Sequence, residues 1–298
     1  MNDSSSPAAA PPPAEPPDAV LAARDVTVRF GGLTALDEVS LTAQPRQVTG
    51  IIGPNGAGKT TLLNVLCGFV RPGSGELSLG TTRLTGLPPN RLASLGIART
   101  LQGLGLFRGL TVLENVMTGA TCQARTGFWP ALLGMSRADR DERTLRTRAL
   151  AALDRVGAAD TAGLLPDQLP YGRRKRVALA RALVAEPRVL LLDEPASGLS
   201  EAELPELGDL ITDLADQATV VVVEHRMDLM MSVCQAIAVL DFGRLIAHGT
   251  PEQVQADPAV TDAYLGAEDT EASEAPAAGD GEAADWAAPA GDGEAADD

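Results

Sequence analysis

One stretch of nine residues has the composition of a loop that binds phosphate groups. It fits the pattern G-x-x-x-x-G-K-[ST] and consists of Gly53-Pro54-Asn55-Gly56-Ala57-Gly58-Lys59-Thr60-Thr61. Glycines let successive backbone N–H groups point inward around phosphate oxygens. Lys59 adds a mobile positive charge for the β- and γ-phosphates, and the hydroxyl of Thr60 suits Mg²⁺. The stretch therefore predicts a binding loop for a nucleoside triphosphate.

The residues on either side of this loop provide the setting that the motif requires. The apolar run Val48–Ile52 precedes the loop and predicts a buried strand. After the loop, Leu62, Val65, Leu66 and Phe69 are spaced to share one face of a helix. The order strand, loop, helix is that of a phosphate-binding loop, and a chance glycine-rich turn does not account for it.

A second candidate site element is an apolar strand that ends in two acids. The run Val189–Leu192 is followed by Asp193 and Glu194. Asp193 suits Mg²⁺, directly or through water, and Glu194 could hold and deprotonate an attacking water. Many buried strands end in acids, so the pattern gains its weight from its combination with the phosphate loop.

Two further polar residues have positions that suit a nucleotide site. His225 follows the predicted strand Thr219–Val223, which we expect to neighbour the strand that ends at Asp193, and its imidazole could bond a γ-phosphate. Gln102 follows Gly96–Leu101, and its amide could ligate Mg²⁺ or water. From the residues alone, a structural role is about as well supported for His225, and a solvated loop position is favoured for Gln102.

Charge and composition divide the chain into three parts. The net charge of the 298 residues is −16, but residues 268–298 hold eleven acids and no base, and residues 1–18 hold three acids and no base. Both ends are rich in small or polar residues and are expected to be disordered. Residues 19–267, the predicted domain, carry 26 acids and 24 bases, which does not favour a nucleic-acid-binding surface.

The cysteines and the hydropathy pattern favour a cytoplasmic protein. The three cysteines, Cys67, Cys122 and Cys234, are few, odd in number and without metal-like spacing, which fits a reducing compartment. No apolar run approaches the ~20 residues that cross a bilayer, and residues 1–18 lack the features of a signal peptide. Any attachment to a membrane is expected to come through a partner.

The periodicity along the chain predicts an α/β fold. Residues 25–30 alternate, with Val26, Val28 and Phe30 on one face, and Leu36–Ala43 and Glu76–Leu79 also predict strands. A helix is predicted to begin at the capping box Thr111–Glu114, and a long amphipathic helix to run from Ser136 to Gly157. Its inner face would hold Leu145, Ala149, Leu153 and Val156. Three apolar runs, Val189–Leu192, Thr219–Val223 and Ala236–Leu240, predict the strands of a parallel sheet.

Together these elements resemble an ABC-type ATPase over residues 20–266. Leu169-Pro170-Tyr171-Gly172-Arg173 lies where the family has its signature, and a helix over Arg173–Ala185 follows. The resemblance makes Gln102 the Q-loop residue and His225 the switch histidine, and it makes Ser197–Ser200 the D-loop. Phe30 matches the aromatic that stacks on adenine, although it also shares a strand face with Val26 and Val28.

The signature departs from the usual LSGGQ pattern. Pro170 replaces the serine, so a hydroxyl that would contact a γ-phosphate is absent, and proline has no backbone N–H. Tyr171 replaces a glycine, while Gly172 is kept. Within the family, the chain is most similar to ATPase subunits of branched-chain amino acid importers. The residues that carry this likeness are Phe30–Leu36, Gly96–Gln102, Leu106–Arg108, Val223–His225, Leu240–Arg244 and Ala263–Gly266.

The resemblance implies an α/β P-loop ATPase with a RecA-like parallel-sheet core, an antiparallel β subdomain and an inserted helical subdomain at about residues 103–165. It implies ATP and Mg²⁺ as ligands, with Thr60, Gln102 and Asp193 at the metal and Glu194, His225 and Gln102 in catalysis. It also implies that Tyr171 and Gly172 meet the ATP of a partner chain.

The implied partners are two membrane permeases, a second ABC ATPase and, indirectly, an extracytoplasmic substrate-binding protein. The chain would lie at the cytoplasmic face of the plasma membrane, bound through the permeases. A urea or short-amide importer, a soluble ABC ATPase acting on nucleic acid or the ribosome, and a regulatory ATP-binding module remain the alternatives.

Overall fold

The computed structural model describes residues 20–100, 104–120 and 136–264. Gln102, Cys122 and the two terminal segments therefore lie outside the described residues. The strands are β1 (Leu21–Phe30), β2 (Leu33–Ala43), β3 (Val48–Ile52), β4 (Ser74–Leu79), β5 (Thr82–Arg83), β6 (Ile97–Arg99), β7 (Val189–Asp193), β8 (Thr219–Val223), β9 (Ala236–Asp241) and β10 (Arg244–Gly249). The α-helices are α1 (Lys59–Leu66), α2 (Pro89–Ser94), α3 (Val112–Thr118), α4 (Ser136–Arg155), α5 (Tyr171–Leu183), α6 (Leu204–Ala215), α7 (Met227–Val233) and α8 (Pro251–Gln255). Short 3-10 turns lie at Ala159–Thr161, Pro166–Gln168 and Glu201–Glu203.

A six-stranded sheet in the order β10-β9-β3-β8-β7-β6 forms the core. Its neighbouring strands are parallel except for the antiparallel pair of β9 and β10. Every residue of β3, β7 and β8 is buried, as expected of apolar strands covered on both faces. The predicted adjacency of the two strands ending at Asp193 and Val223 is confirmed, because these residues are paired. The carboxyl ends of β3, β8 and β7 therefore meet at one edge.

A four-stranded antiparallel sheet in the order β2-β1-β4-β5 packs against α1 and the core sheet. The predicted α/β class is thus confirmed. The expectation that Phe30 shares the buried face of Val26 and Val28 is wrong, because Phe30 is 52% exposed whereas both valines are buried. Phe30 is the last residue of β1, where the strand has run past the core and pairs only with Leu33 across the hairpin.

Helices α3, α4 and α5 pack against one another, and their buried residues share one hydrophobic cluster with residues of the core sheet. The predicted capping box at Thr111 and Glu114 is present at the start of α3. The predicted inner face of α4 is confirmed for Ala149, Leu153 and Val156, which are buried, and Leu145 packs against the same cluster. Gly157 follows the helix with φ +64°, a left-handed conformation that favours glycine and ends the helix.

Two helix boundaries differ from the prediction. Helix α1 ends at Leu66 because Gly68, at φ +72°, and Phe69 close its last turn onto the carbonyls of Val65 and Asn64. Phe69 consequently leaves the helix face and is 59% exposed. Helix α5 begins at Tyr171 rather than Arg173, since Pro170 is its N-cap in an extended conformation. The signature residues Tyr171 and Gly172 therefore form the first turn of α5.

Within the described ranges, none of the helices has both the length and the hydropathy needed to cross a bilayer.

The two described cysteines are expected to be unreactive in the folded protein. Burial raises the pKa of the Cys67 thiol to about 11 and that of Cys234 to about 12. Since the thiolate is the nucleophile, about one Cys67 in a thousand would be reactive near pH 8. Iodoacetamide should therefore leave both unmodified in the native protein and alkylate both in guanidinium, as measured by peptide mass spectrometry. Rapid labelling of either in the native state would contradict this packing.

Candidate active site

The phosphate loop joins the end of β3 to the start of α1 at the carboxyl edge of the core sheet. Two of its glycines are required by their surroundings. Gly53 has φ +149°, and a Cβ there would collide with the carbonyl of Leu240. Gly58, the N-cap of α1, has φ +100°, and a Cβ there would lie 2.7 Å from the carbonyl oxygen of Ala35. The loop is therefore held tightly between the two sheets.

The ammonium group of Lys59 lies within this loop. Its Nζ donates hydrogen bonds of 2.7 Å to the carbonyl oxygens of Gly53 and Pro54. Desolvation by burial lowers the pKa of Lys59, and the nearby negative charge of Glu194 opposes that shift. The charged amine and the carboxylate thus act on each other electrostatically across the space in front of the loop.

Asp193, the last residue of β7, presents one bound and one unbound carboxylate oxygen. Its Oδ2 accepts a hydrogen bond of 2.6 Å from Nη2 of Arg99, the last residue of β6. Arg99 also donates from Nη1 to Oδ1 of Asn64 on α1, at 2.6 Å. Among the described residues, the buried Oδ1 of Asp193 has no hydrogen-bond partner. A buried oxygen of this kind suits a cation or its bound water.

Glu194, directly after β7, has an unusual backbone conformation that its neighbours maintain. Its φ is +46°, in a region that costs a residue with a side chain of order 1 kcal/mol. Its N–H donates to the carbonyl of Val223 at 2.9 Å. Its carbonyl oxygen and that of Pro195 accept hydrogen bonds of 3.0 and 2.9 Å from Nζ of Lys175 on α5.

A fully buried carboxylate, Glu224, links the ends of β7 and β8. Its Oε1 accepts the N–H of Ala196 at 2.7 Å, two residues after Glu194. Its Oε2 accepts the N–H of His225 at 2.9 Å and that of Arg226 at 3.3 Å. Nδ1 of His225 lies 3.5 Å from the same oxygen, and the His225 side chain is 61% exposed. The imidazole thus stands at the open edge of the sheet while Glu224 fixes its backbone.

Tyr171 and Gly172 share a cavity with Asp193 and Glu194 but not with the phosphate loop. They line a cavity of about 450 Å³ between α5, α6 and the residues after β7, and none of residues 53–61 belongs to its lining. The Tyr171 ring packs on Gly198, where an added Cβ would lie 2.7 Å from the ring. Gly172 lies against the side chain of Glu203, which forms a capping box with Ser200.

Of the residues predicted from the sequence, the fold brings the phosphate loop, Asp193, Glu194 and His225 to one edge. Phe30 is the last residue of β1. The next strand, β2, contains Ala35, whose carbonyl oxygen lies against Gly58 of the phosphate loop. Gln102 lies outside the described residues.

Four residues at or near this edge were missed by the sequence reasoning: Arg99, Lys175, Glu224 and Tyr264. The half-buried Tyr264 has its pKa raised by desolvation, and the backbone of Gly53 opposes this shift. The four residues act through tertiary contacts, so no local pattern distinguishes them.

Comparison with known families agrees with this geometry. The profile of the family described as ABC transporter matches residues 36–197. A second profile, described as branched-chain amino acid ATP-binding cassette transporter, matches residues 244–270.

Relatives of known role match along nearly their whole length. The high-affinity branched-chain amino acid transport ATP-binding protein LivG of Salmonella typhimurium is 40% identical over 249 residues, which are 83% of this chain and 98% of the relative. BraF of Pseudomonas aeruginosa, which carries the same description, is 39% identical over 249 residues, again 83% of this chain and 98% of the relative.

Solved structures of ATP-binding cassettes share the fold. The ADP conformation of MJ1267, an ATP-binding cassette of an ABC transporter, is 29% identical with a TM-score of 0.72 and covers 83% of this chain and 99% of its own. The dimeric bacterial ABC transporter cassette MJ0796 is 28% identical with a TM-score of 0.66, covering 78% and 98%. The chain therefore belongs to the ABC transporter family, as one of its nucleotide-binding α/β ATPases.

Proposed function

We propose that this chain is the ATP-hydrolysing subunit of an importer for branched-chain or other hydrophobic amino acids. One observation carries the proposal. The ends of three adjacent parallel strands bring together a phosphate loop, an aspartate with an unpaired buried oxygen and a glutamate. The substrate class rests on the relatives LivG and BraF, whose described role is branched-chain amino acid transport.

In this proposal, the loop amides and Lys59 bind the phosphates of ATP, and Phe30 stacks on the adenine. The carboxylate of Glu194 removes a proton from the water that attacks the γ-phosphorus. His225, held at its backbone by Glu224, donates a hydrogen bond to the γ-phosphate. The proton leaves on Glu194, and the products are ADP and inorganic phosphate.

The residues present fit a magnesium ion. Oδ1 of Asp193 is buried and unpaired among the described residues, and Thr60 lies in the first turn of α1. These oxygens, with the amide of Gln102, would hold the ion, which supplies charge neutralisation to the phosphates. Arg99 would orient Asp193 by holding its other oxygen.

Two such chains would pair head to tail. Tyr171 and Gly172 line a cavity that residues 53–61 do not reach, and in this proposal they meet a nucleotide on another chain. The N-terminus of α5 carries a partial positive charge that suits a phosphate, despite the missing serine at Pro170. Whether the second ATPase is identical or related, its phosphate loop would complete the site, and ATP would favour the closed pair.

A second groove, whose wall includes residues of β6, suits a segment of the permease. It has a volume of about 600 Å³ and lies between α2, β6 and the helices α3 and α5. Its wall includes the exposed side chains of Phe69 and Phe107, which are 59% and 56% exposed. We propose that a cytoplasmic segment of the permease fills this groove. Arg99 lines it too and would connect the permease to Asp193.

This docking proposal makes a testable prediction. Replacing Phe69 and Phe107 together by Ser should weaken the binding of the permeases by about 30-fold or more and lower their recovery with the tagged chain accordingly, since each aromatic that leaves an interface removes about 1 kcal/mol or more. Phe242→Ser is the matched control, because Phe242 is 88% exposed on the β9–β10 turn, outside the groove. Equal recovery with the double variant would contradict the docking site.

The same purification tests the proposed function against its alternatives. Recovery of two membrane permeases and a second ATPase supports the importer and places the chain at the cytoplasmic face of the membrane. Recovery of ribosomal RNA or DNA in their place would overturn the proposal in favour of a soluble ABC ATPase. A substrate-binding protein, which contacts the permeases from outside, is expected only when it is added with its substrate.

A further inference from the structure

Lysine occupies only two positions in this chain. Of the 24 basic residues, 59 and 175 are lysines and all the others are arginines. The first lies in the phosphate loop. The second has no place in the roles proposed so far, although it is half-buried at the active edge of the sheet.

The contacts of Lys175 explain why a compact ammonium suits the position. A single atom, Nζ, reaches two successive carbonyl oxygens, those of Glu194 at 3.0 Å and Pro195 at 2.9 Å. An ammonium is a point charge with three donors, whereas the guanidinium of arginine is a wide planar fork. Desolvation by burial lowers the pKa of Lys175, and the charges of Glu224 and Glu194 oppose that shift.

Lys175 acts on a segment that needs support. Glu194 has a left-handed backbone conformation. Its carbonyl oxygen accepts the N–H of Ser197 at 3.2 Å in addition to Nζ of Lys175. Lys175 bonds the carbonyl side of the turn, while Val223 and Glu224 bond the N–H groups of Glu194 and Ala196. The backbone of the Glu194 turn is thus held by residues of two elements, with Val223 and Glu224 at the end of β8 and Lys175 on α5.

The other neighbour of Lys175 is the signature. Nζ lies 5.6 Å from the centroid of the Tyr171 ring, one turn earlier on α5. That ring also packs on Gly198, four residues after Glu194. A displacement of the first turn of α5 would therefore move the ammonium group that donates to the carbonyl oxygen of Glu194.

We propose that Lys175 is a positioning residue that holds Glu194 in its working orientation and couples this orientation to Tyr171, the residue that meets the partner's ATP. Each chain would then adjust its own hydrolytic glutamate when its signature contacts the nucleotide of the other. The inference rests on the proposed role of Glu194.

The test compares variants in the assembled transporter, with the rate of phosphate release measured against ATP concentration. K175M should lower kcat about tenfold while KM stays within about twofold, because the water-activating group is misplaced and the phosphate contacts remain. K175R, which keeps the charge but not the point geometry, should have a kcat between those of the wild type and K175M.

The matched control is R176M, which removes one positive charge from the next position on α5. Arg176 pairs with Glu206 on α6 and does not bond the Glu194 turn. Its kcat should stay within about twofold of the wild type. If R176M lowers kcat as much as K175M does, or if K175M changes only KM, the proposal is overturned.

A second measurement separates positioning from general damage to the fold. In an E194Q background, K175M should cause no further loss of the residual rate, because residues that act through one group are not additive. A further tenfold loss would overturn the proposal. Should K175M not assemble, a K175R enzyme with wild-type kcat would overturn it equally, and a reduced kcat at unchanged KM would support it. Wild-type turnover in E194Q itself would instead contradict the proposed role of Glu194.

Discussion

Replacing Glu194 by Gln is expected to slow ATP turnover of the assembled transporter by about 100-fold or more, the size of effect typical of a lost general base. The amide keeps the volume of the side chain but does not accept the proton of the attacking water. The backbone of residue 194 is held through its N–H and carbonyl by Val223 and Lys175, and these bonds are kept in the variant. ATP affinity should therefore remain within about twofold.

The measurement is phosphate release at saturating ATP, with ATP binding measured separately by a fluorescent analogue. Glu76→Gln is a matched control, because Glu76 is an exposed carboxylate on β4 that pairs only with the surface residue Arg83 among the described ion pairs. Turnover of E194Q near the wild-type rate would show that another group activates the water.

Replacing Lys59 by Ala is expected to weaken ATP binding about 10- to 100-fold, since hydrogen bonds to a charged group contribute about 1.5–3 kcal/mol. In the structure, Nζ of Lys59 is already directed into the loop, where it bonds the carbonyl oxygens of Gly53 and Pro54. Phosphate oxygens would replace or join these acceptors without moving the helix. The variant also leaves both carbonyls without that donor, so the loop itself becomes less defined.

Titration with the fluorescent analogue measures this loss directly. Arg83→Ala, which removes an exposed positive charge far from the loop, should bind as the wild type does. The two active-site variants should thus differ in ATP affinity, because K59A binds ATP more weakly whereas E194Q binds it as the wild type does. Unchanged binding by K59A would remove Lys59 from the phosphate site.

Elements with strong local signals could be predicted from the sequence. The apolar runs around Ile51, Leu191 and Val221 cannot form half-exposed strands, so a sheet covered on both faces follows, and parallel strands bring their carboxyl ends to one edge. The phosphate loop, Asp193, Glu194 and His225 were found because each lies within two residues of the end of such a run.

Other parts of the candidate site depend on contacts that no local pattern encodes. Arg99 and Asp193 are 94 residues apart, and they meet because β6 pairs with β7. Glu224 follows a strand as Glu194 does, but only the pairing of β7 with β8 brings its carboxylate to the N–H of Ala196. Composition held one unused signal, since lysine is rare in this chain and Lys175 is one of its two positions.

Helix ends were the least predictable features, for a physical reason. The spacing of Phe69 continues the apolar face of α1, yet the left-handed Gly68 ends the helix first and directs Phe69 outward. Pro170 could have predicted the start of α5. A proline has a fixed φ and no N–H that needs a partner, so it suits the position just before a helix. Both ends matter here, since one exposes Phe69 at the groove proposed for the permease and the other carries the signature.

The most direct test of the account is ATP-driven uptake of labelled leucine by proteoliposomes that contain the permeases, this chain and its partner ATPase, with the binding protein supplied on the other side. We expect accumulation of leucine that requires ATP, that isoleucine and valine reduce by competition, and that E194Q abolishes. Uptake that persists in E194Q, or ATP hydrolysis that is stimulated by urea or short amides and never by these amino acids, would contradict it.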